Sequence, residues 1–419
     1  MIFKEAFISL KKDKVRSFFY FLTLLLTECF IYIFFTISFS DRAGFHVLYA
    51  DNNMVTFLTV IVITICMIVA ALVNDFFIKN KSSTMAIYLT GGATYFQLAS
   101  YLLIQMLFIL LVSLPLSFFI INVLRPLLNK IFITGFRMNF ESLIATIVIL
   151  SVLSAGMVLL NLGFAYRMTI YNLLNETKST IKRKIPFPFE ITIKQKTKNI
   201  LIILMFIFSI TQLYISGNDK QGFLFACLIG LISFYFMLEE IMIPYINTKL
   251  KQTTPIKLIT LGYLRHDIRK NKFYIMLYLV SQMLFISIMA ASASTDIEKE
   301  LSYISLIMIN LLLLLSLSFK YSASLSMRIK ELSTLRQCGY NQKQLRQIIF
   351  KQVTNYFGLL FICSFFFMIN IFISMLIHDL LAMEMVLSVL IMTYIPFLII
   401  YGLVYLYYDF FTRKTISQK

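Results

Sequence analysis

Long apolar runs recur ten times along this chain, near residues 18–40, 54–78, 98–124, 143–165, 199–216, 222–244, 273–294, 302–319, 353–377 and 385–408. A helix takes about 20 apolar residues to cross a bilayer, and tilt accommodates somewhat shorter or longer runs. The spacing therefore predicts an all-α integral membrane protein of ten transmembrane helices. Composition leaves little room for a soluble alternative: 14% of residues are charged, against about 25% in a soluble domain. There are 42 Phe and 23 Tyr but no Trp, so interfacial anchoring falls to Tyr, Lys and Arg.

Charge sets the expected orientation. With both termini in the cytoplasm, the inner segments hold 32 of the 38 Lys and Arg, and the outer loops hold 6. Cytoplasmic loops are rich in Lys and Arg, so the reverse orientation would invert a strong bias. The formal net charge of +18 reads as a topology signal, with attraction to anionic inner-leaflet lipids accompanying it. A charge divided among many loops does not make the clustered basic face that nucleic acid requires. No nucleic-acid partner is expected.

Two internal repeats organise the chain. An offset of 247 residues superposes Gly92 on Gly339, Gln97 on Gln344, Leu98 on Leu345 and Gln105 on Gln352 without a gap. Both copies sit in short basic links between apolar runs. A second repeat, offset by 258, matches Leu10-Lys11-Lys12-Asp13-Lys14 and Tyr20 to Ile268-Arg269-Lys270-Asn271-Lys272 and Tyr278. Both copies run from inside to outside, so the halves are parallel, unlike the inverted repeats of many secondary transporters. The expected domains are a first four-helix unit at 1–178, a basic linker and connecting helix pair at 179–252, and a second four-helix unit at 253–419. Pro186 and Pro188, beside Lys182-Arg183-Lys184, mark the boundary because proline prevents regular helix. Residues 2–16 and 256–268 read as amphipathic segments along the inner leaflet.

Each repeated glycine falls where a short helix would end, a position that calls for positive φ. The residues before it alternate Leu or Ile with polar residues at helical spacing, a face suited to docking. The run Lys330-Glu331-Leu332-Ser333-Thr334-Leu335-Arg336-Gln337-Cys338-Gly339, followed by Gln344-Leu345, resembles the coupling segment of FtsX/MacB-like ABC transporter permeases. The ten-span plan is similar to the BceB-type permeases of antimicrobial-peptide resistance. The resemblance implies a multi-pass permease subunit in a bacterial cytoplasmic membrane, served by two cytosolic ABC ATPase subunits. One ATPase contact would comprise Lys330, Glu331, Leu335, Arg336 and Gly339, and the other Thr84, Tyr88, Leu89 and Gly92. The first copy has Thr84 where an acid is usual and Leu89 where Arg336 stands, so the two contacts would be unequal. ATP would act only through the partners, with no cofactor bound directly. The implied cargo is a hydrophobic or cationic peptide, or a lipid-bound antibiotic, removed from the membrane or exported. The alternative is an FtsX-like, non-transporting transmitter that controls a sensor histidine kinase or a cell-wall hydrolase. BceB-type permeases carry a large extracellular domain between spans seven and eight; here about 294–302 joins those spans, too short to fold a core.

No GxxxxGK[ST] phosphate loop occurs, so the chain is not expected to hydrolyse ATP or to be an enzyme. The five cysteines and three histidines are scattered, and no metal site is expected. Glu28 lies mid-run, where an ionisable residue is a functional candidate by default. Asp75 and the pair Glu239-Glu240 lie near inner ends, with Lys79 and Lys249 as expected partners. Asp296, Glu298 and Glu300 read as a solvated outer turn. Pro115 and Pro396 read as kinks within spans.

Overall fold

A computed structural model of the protein describes residues 2–38, 53–131, 140–167, 195–215, 220–250, 254–291, 296–323, 325–378 and 383–417. Helices account for nearly all of these residues, and no strand occurs among them. In chain order the helices are α1 (Ile2–Lys12), α2 (Lys14–Ser38), α3 (Asn53–Lys79), α4 (Ser82–Thr90), α5 (Tyr95–Ile131), α6 (Phe140–Arg167), α7 (Gln195–Ile215) and α8 (Lys220–Met237). A π turn (Leu238–Met242) follows, then α9 (Ile243–Leu250), α10 (Pro255–Ala291), α11 (Asp296–Ala323), α12 (Leu325–Gln337), α13 (Gln342–Ile377) and α14 (Met383–Ser417). Among the described residues nine helices are long and apolar enough to cross a membrane, so the chain is a multi-pass membrane protein. The remaining expected span, 273–294, falls in α10, and residues 292–295 beyond it lie outside the described residues.

The chain divides into two compact units, Met1–Glu190 and Ile191–Lys419. In the first, α2 lies against α3, α5 and α6, α6 also meets α3 and α5, and α1 runs along α5. The Tyr20 ring stacks on Phe77 with centroids 4.5 Å apart, and its hydroxyl donates to Asn74 Oδ1 at 2.8 Å. Asn74 Nδ2 in turn donates to Asn161 Oδ1 at 2.8 Å, so one polar chain ties α2, α3 and α6. Inside a bilayer such groups have no water to turn to, and each has to be satisfied by a neighbour.

The second unit repeats this plan and adds to it. There α10 holds α11 and α13, while α14 meets both α11 and α13. Gln282 Nε2 donates to Asn310 Oδ1 at 3.3 Å, and Asn310 Nδ2 donates to the Thr393 carbonyl at 2.8 Å, joining α10, α11 and α14. The connecting pair, expected as a separate segment with the linker, packs into this unit. Helices α7 and α8 lie against each other, with α8 on α10 and α7 on α13. Gly230 makes the approach possible, since a Cβ there would sit 2.3 Å from Phe367 Cζ and 2.5 Å from Ser209 Oγ.

Several local expectations are corrected. Residues 256–268 do not form a separate amphipathic segment; they are the first turns of the continuous α10, whereas α1 and α2 meet at an elbow at Asp13. Lys79 does pair with Asp75, at 2.5 Å. Lys249 does not pair with the Glu239-Glu240 acids, because the π turn splays them toward other helices. Glu239 meets Lys272 on α10 at 2.9 Å, and Glu240 meets Lys198 on α7 at 2.5 Å. Lys249 lies over the Tyr245 ring. Asp296, Glu298 and Glu300 belong to the first turns of α11 rather than a loop, where acidic residues suit the positive end of the helix; their side chains lie outside the described residues. Helices α5 and α14 continue through Pro115 and Pro396.

Candidate functional site

The two repeated links fold into the same joint, and backbone chemistry explains why. In the first, Gly92 adopts φ +88°, a region open mainly to glycine. That conformation lets the Gly92 N–H reach the Leu89 carbonyl at 3.1 Å and the Ala93 N–H reach the Tyr88 carbonyl at 3.0 Å. These two bonds form a Schellman motif, which satisfies carbonyls that the end of α4 would leave open. In the second, Gly339 has φ +96°, with Gly339 N–H to the Arg336 carbonyl at 3.0 Å and Tyr340 N–H to the Leu335 carbonyl at 3.2 Å.

The helix that follows is capped the same way in both. The Thr94 N–H donates to Gln97 Oε1 at 2.9 Å, and the Gln97 N–H donates to Thr94 Oγ1 at 3.3 Å. Asn341 and Gln344 form the matching reciprocal box, with the Asn341 N–H donating to Gln344 Oε1 at 2.9 Å. Such a box pins the start of the helix. Leu98 and Leu345, one residue on, are both buried, as are Gln105 and Gln352 two turns further.

The side chains named from the sequence divide between an outer and an inner aspect. Glu331, Arg336, Gly339 and Gly92 are exposed, while Leu335, Thr84, Tyr88 and Leu89 are half-buried. Tyr88 turns inward: its hydroxyl donates to Glu5 Oε2 at 3.2 Å and its ring meets Tyr101 edge-on at 5.6 Å. Burial, with Tyr101 and Glu5 alongside, raises the Tyr88 phenol pKa above its ordinary value. Tyr88 and Leu89 rest on a cluster of Ala6, Met85, Ala86, Leu98 and Leu102. The Lys330 side chain lies outside the described residues. Glu28 is not part of either joint. It is buried in α2, where Ser113 Oγ on α5 donates to its Oε1 at 2.6 Å, and its Oε2 has no hydrogen-bond partner.

The outward faces contain residues that sequence reasoning passed over. In the first joint Ile87 and Phe96 are each 68% exposed. The positions matched by the 247 offset are Thr334 and Lys343, both exposed. One joint thus presents an apolar outer face and the other a polar, basic one. The signal was present in the repeat alignment itself, in the unlike pairs rather than the identical ones. Lys81, counted in the sequence only among the 32 inner basic residues, has a side chain 1% exposed. No protein-family model matches the chain, and no curated protein matches it.

Proposed function

We propose that this chain is the membrane subunit of an ABC transporter of a bacterial cytoplasmic membrane, with α4 and α12 as the elements that separate cytosolic ATPase subunits grip. The observation that carries the reading is the shared joint: a short helix closed by a positive-φ glycine, then a capped helix, at the same place in both four-helix sets. A rigid, twice-repeated element at one end of a helical bundle is suited to receiving a push from outside and delivering it to the spans behind. α5 and α13 continue from the two joints into long apolar helices, so displacement of either joint reaches the bilayer directly. The cargo in this reading is a membrane-active peptide or a lipid-bound antibiotic, met within the bilayer or at its outer rim. The unlike outer faces at Ile87 and Phe96 against Thr334 and Lys343 favour unequal grips.

The test is to isolate the full chain from its native membrane and measure nucleotide hydrolysis by the material that accompanies it. Hydrolysis is expected in the wild type. Joint replacement Glu331→Ala with Arg336→Ala is expected to reduce it at least several-fold while leaving the chain folded. Hydrolysis unaffected by the pair, or none in the wild type, overturns the assignment.

A further inference from the structure

In the first unit α1 acts as a splint against α4 and α5. Glu5 receives the Tyr88 hydroxyl of α4 at 3.2 Å, and the Ala6 carbonyl receives Gln105 Nε2 of α5 at 3.0 Å. Phe7 meets Phe108 of α5 edge-on at 4.4 Å. Ser9 Oγ accepts from Lys81 Nζ at 2.9 Å, and Asp13 at the elbow forms an ion pair with the same ammonium. Lys81 immediately precedes α4, and its backbone carbonyl accepts from the Met85 N–H at 2.9 Å, so its position sets the first turn of that helix.

Among the described residues Lys81 differs from the other cations of the inner segments in being buried. Its side chain is 1% exposed, and its ammonium lies over the Phe77 ring, 5.5 Å from the centroid. Burial lowers its pKa below the ordinary lysine value, and the Asp13 carboxylate opposes that shift. A buried lysine is held in one geometry only where a counter-charge and acceptors surround it. In the second unit the 258 offset puts a carboxylate, Asp267, where Ser9 stands, and Gln352 Nε2 donates to its Oδ2 at 3.3 Å. The 258 offset places Asn271 where Asp13 stands, and Asn271 is buried with its Oδ1 without a hydrogen-bond partner. The counterpart of Lys81 is Arg328, whose side chain lies outside the described residues.

We propose that Lys81 is a positioning residue that clamps α4 to the α1–α2 elbow, so that residues 2–13 and 81–94 move as one body. What the clamped body transmits rests on the function proposed above; the clamp itself does not. A push on the first joint would reach α2 through the elbow as well as α5 through the turn.

The test is backbone hydrogen exchange on the full chain in lipid nanodiscs, with no ATPase present. Asp13→Asn, which installs the second unit's residue, is expected to speed exchange of amides 82–90 about tenfold. Amides 342–352 in the second unit are expected to be unchanged. Asp13→Glu is expected to restore slow exchange. In Asp13→Asn with Lys81→Met no unpaired ammonium is buried, so the thermal midpoint is expected to recover while exchange at 82–90 stays fast. That split separates a tether from a mere folding defect. Unchanged exchange at 82–90 in Asp13→Asn, or loosening spread equally over both units, overturns the proposal. A chain that loosens at 82–90 yet recruits no ATPase keeps the clamp and loses the transporter reading.

Discussion

A methyl group at Gly92 or Gly339 would meet nothing within 4 Å. The cost of alanine at either place is therefore a backbone cost, since φ near +90° crowds a Cβ against its own carbonyl; it should be about 1–2 kcal/mol. Gly339→Ala is expected to fray the end of α12, read as faster exchange of amides 335–340, and Gly339→Asn is expected to fray it less. Both glycines, with Gln97 and Gln344, are legible in the sequence because the bonds they make close within six residues. Lys81 is not legible in the same way. Its partner Asp13 stands 68 residues earlier inside the run Lys11-Lys12-Asp13-Lys14, where composition suggests only a basic cluster. Tyr88 illustrates a milder failure: helical spacing puts it beside Leu89 on a docking face, but only the position of α1 turns its hydroxyl inward to Glu5.

Among the elements, the meeting of α7, α8 and Phe367 of α13 depends on the missing side chain at Gly230. Phe367 and Ser209 occupy the space that any larger residue needs, and the Phe206 ring packs on Phe366 and Phe367 at 6.2 and 5.9 Å. Gly230→Ala is expected to cost about 1–3 kcal/mol, and Gly230→Leu to separate α8 from α13. A lowered unfolding midpoint in detergent, matched by faster exchange in 202–213, checks this. The existence and type of nearly every long helix follow from run length and hydropathy alone. The assignment of the connecting pair does not, because nothing in a stretch of Leu, Ile and Phe says which neighbour it will choose. The elbow between α1 and α2 against the unbroken α10 is equally hidden. Lys12-Asp13-Lys14 and Lys270-Asn271-Lys272 look interchangeable, and the difference arises from what each meets in space.

For the molecule as a whole, the segregation of 32 basic residues from 6 forecasts its orientation, and the forecast can be checked by labelling. In a background with the five native cysteines replaced, Arg42→Cys is expected to react with an impermeant maleimide on intact cells. Lys343→Cys is expected to react only after the membrane is opened; the opposite pattern would reverse the orientation. The helices differ widely in how many of their residues are buried. The stretch Ser302–Phe319 is 72% buried and the apolar part of Phe140–Arg167 only 22%, so α11 is a core helix and α6 a peripheral one. The twice-built joint has a last implication. A homodimer assembled from half-length chains must show the same residue at both of its joints, since one gene writes both. Joining the two copies in a single polypeptide removes that constraint. Ile87 and Thr334, or Phe96 and Lys343, are then free to mutate separately, and each joint can be tuned by selection without disturbing its twin.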